Sequence, residues 1–273
     1  VQNVNGSWVK WKPQNYDGST GGLTTLREGL RKSMNLISVR MVQQDIAPSE
    51  QVKRTAQRMG ITTDIRAVDA LALGTSEVYP LEIVSAYAAF ANQGVYSKPF
   101  PITRVEDRYG NVIKEFYPER KEVLSEETTY LMTSLMQTVM DRGTGGSARW
   151  KYKFNRPAAG KTGTTQGWSD AWFGGFTPQI TAGCWFGVDD FQVPLGPGQD
   201  GSIAALPAWA RFMKGAHDTL DFPIQKFEKP SGIHDIEICS VTKKAPVPAC
   251  PVEKEIFKVG TEPIQKCKVH RTQ

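Results

Sequence analysis

The sequence has 273 residues, of which 40% are hydrophobic and 22% charged, a balance typical of a globular protein and unlike a disordered or collagen-like one. Lysine and arginine number 33 against 28 aspartates and glutamates, and these charges are spread along the chain, which argues against nucleic-acid binding. The polar, turn-rich start does not resemble a signal peptide, and no run approaches the roughly 20 apolar residues of a membrane-spanning helix. We therefore expect a piece of a longer protein whose membrane anchor precedes Val1.

The first third of the chain predicts a series of helices. Thr25-Leu26-Arg27-Glu28 has the capping-box spacing, in which the threonine hydroxyl and the glutamate carboxylate each bind a backbone N–H group at a helix start. A second apolar run covers residues 36–42, so Ser33-Met34-Asn35 is predicted to lie at a junction between two helices. Two further helices are predicted to open at a proline and end at a glycine: Pro48 to Gly60 and Pro80 to Gly94.

The middle of the chain predicts a change from helices to strands. Gly110-Asn111 lies between short β-prone runs and predicts a hairpin turn. Ser125 is predicted to cap a helix that ends before Gly143. Three strand-like runs follow, at residues 158–163, 170–176 and 180–188, and their turns indicate an antiparallel meander. A helix over residues 203–216, with Pro207 marking its start or a kink, is then predicted to pack on this sheet. The expected fold class is α/β of the α+β type, a mainly antiparallel sheet flanked by helices.

The last fifty residues differ in composition from the rest. From residue 223 the chain is rich in proline, lysine and glutamate, so we predict a domain over residues 1–222 and a small appendage over residues 223–273. The appendage carries three cysteines: Cys239, Cys250 and Cys267. No Cys-x-x-Cys spacing is present, and the nearby histidines, His234 and His270, are not arranged as ligand pairs, so no metal site is predicted. We expect instead a Cys250–Cys267 disulfide in an oxidising compartment, with the connectivity left open by the sequence.

The run at residues 159–165, Ala-Gly-Lys-Thr-Gly-Thr-Thr, has two interpretations. A phosphate-binding loop would need glycine at position 155 and a following helix, but position 155 is Asn and Gly167-Trp168 begins a turn. The alternative is the Lys-Thr-Gly strand of the penicillin-binding and β-lactamase serine enzymes, which also use a Ser-x-Asn motif. Ser33-Met34-Asn35 supplies that second motif, well upstream and at a helix junction.

Longer runs make the resemblance specific. They include Asn15-Tyr16-Asp17-Gly18, Lys32-Ser33-Met34-Asn35, Leu73-Gly74-Thr75-Ser76, Gly143-Thr144-Gly145, Lys161-Thr162-Gly163-Thr164-Thr165, Asp170-Ala171-Trp172-Phe173 and, in the tail, Cys250-Pro251 and Gly260-Thr261-Glu262-Pro263. Over nearly its whole length the chain resembles the transpeptidase part of class A, bifunctional penicillin-binding proteins. The resemblance implies the transpeptidase fold that these proteins share with serine β-lactamases.

The resemblance also implies a role for each matching residue. Lys161 would supply positive charge and a hydrogen bond beside Ser33, whose hydroxyl would relay a proton to the leaving amine. Asn35 would donate its side-chain amide to the peptide carbonyl of the substrate. These three residues are the expected catalytic residues in this chain.

The substrate-binding residues expected by resemblance are Thr162, Gly163, Thr164 and Thr165. The hydroxyls of Thr162 and Thr164 would bind the terminal carboxylate of the peptide, and the Thr164 N–H would be one oxyanion donor. Gly163 would let the substrate backbone approach the strand without a side chain in between.

The nucleophilic serine of the family's Ser-x-x-Lys motif is not at its expected place. Ser7-Trp8-Val9-Lys10 and Ser240-Val241-Thr242-Lys243 match the spacing, but neither is expected to open a core helix. In the family the nucleophile precedes the Ser-x-Asn motif, and a glycosyltransferase domain and membrane anchor lie further upstream. We expect all of these before Val1, and we expect residues 1–273 alone to be inactive.

The predicted function is a peptidoglycan D,D-transpeptidase that cross-links stem peptides ending in D-Ala-D-Ala through a serine acyl-enzyme. β-Lactam antibiotics would acylate the same serine, regulators of cell-wall synthesis are further expected partners, and no cofactor is implied. The predicted location is the periplasmic, extracytoplasmic face of the bacterial inner membrane. Two alternatives remain open: a hydrolase such as a D,D-carboxypeptidase or β-lactamase, and a non-catalytic scaffold that binds the cell wall.

Overall fold

The structure is a computed structural model that describes residues 2–4, 7–9, 11–20, 22–190 and 192–270. In these residues the α-helices are α1 (Leu26–Arg31), α2 (Asn35–Gln43), α3 (Ser49–Arg58), α4 (Pro80–Ala91), α5 (Glu126–Arg142), α6 (Ser147–Trp150) and α7 (Leu206–Thr219). The strands are β1 (Gln2–Val4), β2 (Ser7–Val9), β3 (Val95–Ser97), β4 (Arg104–Glu106), β5 (Val112–Glu115), β6 (Arg120–Glu122), β7 (Ala159–Thr164), β8 (Asp170–Phe176), β9 (Thr181–Gly187), β10 (Ile233–Cys239) and β11 (Val252–Lys258). A π-helical turn, Gly201–Ala205, precedes α7.

The central sheet is the antiparallel meander β7-β8-β9, with β7 at one edge. Helices cover both faces of this sheet. A Cβ built at Gly174 would lie 3.4 Å from the ring of Tyr87 on α4, whereas one at Gly175 would lie 2.7 Å from Trp209 on α7. Because neighbouring strand residues point to opposite faces, α4 and α7 sandwich the sheet.

Aromatic rings fill the space between the sheet and α7. Trp209 packs 4.8 Å from Phe173 and 5.4 Å from Phe154, measured between ring centroids, and all three side chains are buried. Replacing one such ring by alanine typically costs about 3–5 kcal/mol. This core fixes the sheet whose edge strand carries the Lys-Thr-Gly motif.

The structure confirms the helices predicted before residue 143. The side chain of Thr25 caps α1 by accepting the Glu28 N–H, at 3.2 Å. The second half of the predicted capping box is wrong, because the Glu28 carboxylate binds the Arg31 guanidinium instead, at 2.7–3.0 Å. Pro48 and Pro80 stand at the starts of α3 and α4, and Ser125 caps α5.

The strand predictions are also confirmed. β7, β8 and β9 form the meander, and Gly110, with φ of 84°, lies in the turn between the antiparallel strands β4 and β5. The helix predicted over residues 203–216 begins at Leu206, after the π-helical turn, and ends at Thr219. The fold is therefore of the α+β class, with antiparallel sheets flanked by helices.

The last part of the chain forms the antiparallel hairpin β10–β11, which the composition did not predict. Arg27 on α1 connects this hairpin to the helices, because its guanidinium binds the Glu255 carboxylate of β11 through two hydrogen bonds and the Thr138 hydroxyl of α5 at 2.8 Å. None of the helices in the described residues is both long and apolar enough to cross a membrane.

Candidate active site

Ser33 lies in the turn that ends α1, and the backbone places its side chain. The Ser33 N–H donates to the Leu30 carbonyl at 3.1 Å and the Met34 N–H donates to the Gly29 carbonyl at 2.8 Å. This is the Schellman pattern of helix ends, which requires a left-handed residue, usually glycine, at the position of Ser33. Ser33 has a φ of 55°. Ser33 therefore adopts the left-handed conformation that this turn requires.

Lys161 on β7 meets Ser33, although 128 positions separate them in the chain. Its Nζ donates to the Ser33 Oγ at 2.6 Å and to the Thr162 carbonyl at 2.9 Å. Burial lowers the pKa of the Lys161 amine to about 8, because the charged form loses hydration. Since the Ser33 oxygen accepts from Lys161, its own hydroxyl proton remains available to another acceptor.

The run Gly143-Thr144-Gly145 follows α5 and contacts both the end of α1 and the strand β7. The Thr144 N–H donates to the Arg31 carbonyl at 3.3 Å, and its hydroxyl lies 2.9 Å from that of Thr162. A Cβ at Gly143 would come within 2.6 Å of the Arg31 carbonyl oxygen, so only glycine allows this approach. Thr144 therefore lies in the same hydroxyl cluster as Thr162.

Asn35 is the first residue of α2, two positions after Ser33. Its side-chain amide donates to the Gln14 carbonyl at 2.9 Å. The neighbouring Asn15, which is buried, caps the same helix by accepting the Leu36 N–H at 3.0 Å. The Asn15-Tyr16-Asp17-Gly18 run thus orients the start of α2. An amide has two N–H donors, so Asn35 retains one beyond this contact.

Thr164 ends β7 beside the π-helical turn. Its hydroxyl oxygen accepts the Gly201 N–H at 3.1 Å, which leaves its proton available to another acceptor. The backbone of Gly201 lies against that of Gly163, since a Cβ at position 201 would stand 2.6 Å from the Gly163 oxygen. A Cβ at Gly163 would meet Trp172 at 3.0 Å, so cross-strand packing also favours glycine there.

Thr165 differs from the other residues of its motif. Its hydroxyl lies 2.8 Å from that of Ser169 and accepts the Asp170 N–H at 2.8 Å. Both contacts belong to the turn that joins β7 to β8. The structure thus brings Ser33, Lys161 and Thr162 together, while it engages the Thr165 side chain in the turn.

Neither of the two Ser-x-x-Lys matches lies at the start of a helix. Ser7 begins the strand β2, and Lys10 lies outside the described residues. Ser240 directly follows β10, where its N–H donates to the Pro251 carbonyl at 2.9 Å. Neither serine therefore has the position expected of the nucleophile, which is the start of a core helix.

The cysteines of the tail differ from the sequence prediction. Cys250 and Cys267 are free thiols in the structure, and their pairing in a disulfide stays a prediction. The thiol of Cys239 and the imidazole of His270 lie at the same place. The sequence predicted no metal site there, whereas the structure places the Nδ1 atom of His270 within 3.5 Å of all three sulfurs.

Sequence reasoning therefore missed two sets of residues. Thr144 belongs to one of the runs that carry the family resemblance, but the sequence assigned it no role in the site. Its position between two glycines was the signal that could have identified it. The tail cluster of three cysteines and one histidine was signalled by the Cys-x-x-His spacing at its end.

Comparison with known proteins gives consistent matches over both parts of the chain. The family model of the penicillin binding protein transpeptidase domain matches residues 1–213, and that of the C-terminal domain of penicillin-binding protein 1A matches residues 229–272. Penicillin-binding protein 1A of Aquifex aeolicus is 37% identical over 257 residues, which cover 94% of this chain and 34% of that protein. The corresponding protein of Clostridium tetani is 33% identical and is matched over 95% and 34% of the two chains.

A solved structure is similar as well. The crystal structure of penicillin-binding protein 1A from Haemophilus influenzae matches with a TM-score of 0.88 at 28% identity, covering 98% of this chain and 44% of that one. The chain spans about a third of the length of the curated relatives it matches.

Proposed function

The chain belongs to the family of penicillin-binding protein transpeptidase domains, and we propose that it carries the proton-relay and carboxylate-binding half of a serine acyltransferase that cross-links peptidoglycan. The substrates are stem peptides ending in D-Ala-D-Ala. The nucleophilic serine belongs to a Ser-x-x-Lys motif outside residues 1–273, in the longer protein of which this chain is a part.

The hydrogen bond of 2.6 Å from Lys161 to Ser33 is the observation that carries this proposal. The ammonium group orients the Ser33 hydroxyl, so that its proton points towards the position of the leaving amine. General acid catalysis of this kind contributes roughly 10²- to 10⁴-fold to a reaction rate. Lys161 thus acts as the donor behind Ser33, and Ser33 is the group that touches the substrate.

The terminal carboxylate of the peptide binds the hydroxyls of β7. Thr162 and Thr164 present O–H donors next to the positive charge of Lys161, an arrangement suited to an anion. β7 pairs only with β8 in the described residues, so its other edge is open to an extended peptide. The Thr164 N–H serves as one oxyanion donor, Gly163 keeps this edge accessible, and Asn35 orients the peptide through its remaining N–H.

The reaction proceeds in two balanced steps. The serine hydroxyl gives up its proton as its oxygen bonds to the carbonyl carbon of the penultimate D-alanine, the peptide bond breaks, and the terminal D-alanine leaves with that proton, relayed through Ser33. An amino group of a neighbouring stem peptide then attacks the ester, returning a proton along the same path and releasing the serine. β-Lactams acylate the same serine, and the expected location is the extracytoplasmic side of the inner membrane.

Penicillin labelling of two proteins tests this function. One is the chain of residues 1–273, and the other, the extended protein, also contains the preceding residues with the Ser-x-x-Lys motif. We expect fluorescent penicillin to label only the extended protein, with one adduct in its intact mass and a long lifetime of that adduct.

Other results would contradict the proposal. Labelling of residues 1–273 at Ser7 or Ser33 would place the nucleophile inside this chain. An adduct that hydrolyses rapidly would identify a carboxypeptidase or β-lactamase, and an extended protein that takes up no penicillin would identify a non-catalytic scaffold.

A further inference from the structure

The tail of the chain brings four potential metal ligands to one place. Cys239 is the last residue of β10, and Cys250 lies two positions before β11, so both stand at the end of the hairpin where residues 240–251 join the two strands. Cys267 returns to the same end because the chain bridges there: the Ala245 N–H donates to the Gln265 carbonyl and the Cys267 N–H to the Ala245 carbonyl. His270 follows three residues later.

The distances between these ligands are those of a tetrahedral site. The Nδ1 atom of His270 lies 3.5 Å from the sulfur of Cys239, 3.4 Å from that of Cys250 and 3.3 Å from that of Cys267. Zinc bonds of about 2.3 Å to sulfur and about 2.05 Å to nitrogen separate the two ligand atoms by about 3.6 Å in a tetrahedron, and two sulfurs by about 3.8 Å. All four atoms lie within 4.8 Å of one another, so no pair needs to approach by more than about 1 Å.

The surroundings of the sulfurs suit thiolate ligands. The Thr242 N–H points to the Cys239 sulfur at 3.5 Å, and the Val247 N–H points to the Cys250 sulfur at 3.3 Å. Backbone N–H groups in such positions hold metal-bound sulfurs in place. Cys239 is fully buried and Cys267 is 4% exposed, so the cluster is closed to solvent on one side.

We propose that Cys239, Cys250, Cys267 and His270 bind one Zn²⁺ ion as a structural site. Three thiolates and one imidazole are soft ligands that favour zinc over calcium or magnesium. Because the protein supplies all four ligands of a tetrahedron, no position remains for a catalytic water.

The size of the hairpin explains why it needs a metal. Among residues 229–270, the buried apolar side chains besides the two buried cysteines are Ile233 and Ile238. So small a core supplies little hydrophobic free energy, and small domains of this kind are commonly held by a metal or by disulfides. Zinc binding would supply that free energy directly.

Metal analysis of the full-length protein, purified without a metal-binding tag, tests the proposal. We expect one zinc per chain, three reduced tail thiols in the intact mass, and zinc affinity lowered by more than roughly 100-fold in Cys267→Ser and His270→Ala. The matched controls are Cys184→Ser, on β9, and His234→Ala, on β10, and both should keep their zinc.

The native protein provides a second measurement that does not depend on the folding of variants. Replacing zinc by Co²⁺ should give the absorption bands of a tetrahedral cobalt–thiolate site, and a chelator should lower the thermal unfolding temperature of the tail. Absence of zinc and of cobalt binding in reduced protein would overturn the proposal. A mass two hydrogens lower, assigned to a bond between two tail cysteines in the protein as purified, would overturn it as well.

Discussion

The Lys161 side chain gives the proposed chemistry a defined pH dependence. Its pKa is lowered by burial to about 8, so the amine carries its proton below pH 8 and loses it above. If the charged amine orients Ser33, acylation by penicillin should slow as the pH rises through about 8. A neutral amine acting as a base would give the opposite slope.

Substitutions at position 161 separate these cases. Lys161→Ala in the extended protein should lower the acylation rate constant by more than about 100-fold, because the donor behind Ser33 is lost. Lys161→Arg keeps its charge through this range, so the decline near pH 8 should disappear. Lys214→Ala, which removes an exposed lysine of α7, is the control. Stopped-flow acylation measures all three, and normal acylation of Lys161→Ala would remove this residue from the mechanism.

At the scale of a secondary-structure element, Glu82 fixes the start of α4. Its carboxylate accepts hydrogen bonds from the backbone and hydroxyl groups of Thr62 and Thr63, including 2.9 Å from the Thr62 N–H and 2.6 Å from the Thr63 hydroxyl. Partial burial raises the pKa of Glu82, but these hydrogen bonds outweigh it and lower the pKa to about 2. The segment that follows α3 is therefore held against the start of α4 by an ionised carboxylate.

This arrangement predicts how stability depends on pH. The folded-state pKa of Glu82 lies below the ordinary value of 4.5, so its contribution is complete above pH 4.5 and is lost as the pH falls towards 2. Glu82→Gln should lower the free energy of unfolding by about 1 kcal/mol at pH 7, and the difference should shrink in acid. Urea unfolding at several pH values checks this, with Glu126→Gln, exposed in the first turn of α5, as control. A difference that persists at pH 2 would contradict it.

At the scale of the whole molecule, Arg27 holds the C-terminal hairpin against the helices. The guanidinium and the Glu255 carboxylate are 13% and 20% exposed, with hydrogen bonds of 2.5 and 2.8 Å between them. Burial raises the pKa of Glu255, but hydrogen bonds from Arg27 and its positive charge lower the pKa below the usual range. The pair thus connects α1, α5 and β11.

Arg27→Ala should destabilise the extended protein by about 3 kcal/mol, because it leaves the Glu255 carboxylate buried without its partner. A double-mutant cycle with Glu255→Gln measures the coupling free energy between the two side chains. This coupling free energy should be well above that of the exposed pair Lys214–Asp218, for which less than about 0.5 kcal/mol is expected. Equal couplings would show that the buried pair does not hold the hairpin. Unfolding in urea, followed by tryptophan fluorescence, measures both.

The predicted division at residues 222 and 223 stays a prediction, but packing indicates how closely the two parts are joined. Phe227 follows that division, yet its ring packs edge-on against Phe176 of β8, with 5.6 Å between ring centroids. The segment that leads to the hairpin therefore contributes to the core under the sheet.

The sequence by itself determined the longer helices, the central meander and the family. Caps such as Thr25 and Ser125, the prolines at the starts of α3 and α4, and turn residues such as Gly110 act within a few positions, so they can be recognised without a fold. The Lys-Thr-Gly and Ser-x-Asn runs identified the family for the same reason. These signals predicted the meander, most helix bounds and the order of the motifs along the chain.

Only the tertiary structure decided which side chains meet. Ser33 reaches Lys161 because a Schellman turn directs it and because Gly143 lets the end of α1 approach β7, a geometry set by packing between distant segments. The same holds for the tail, where the composition favoured a Cys250–Cys267 disulfide. There the hairpin register and one backbone bridge bring Cys239 and Cys250 to Cys267 and His270, and the local Cys267-x-x-His270 spacing does not reveal these long-range contacts.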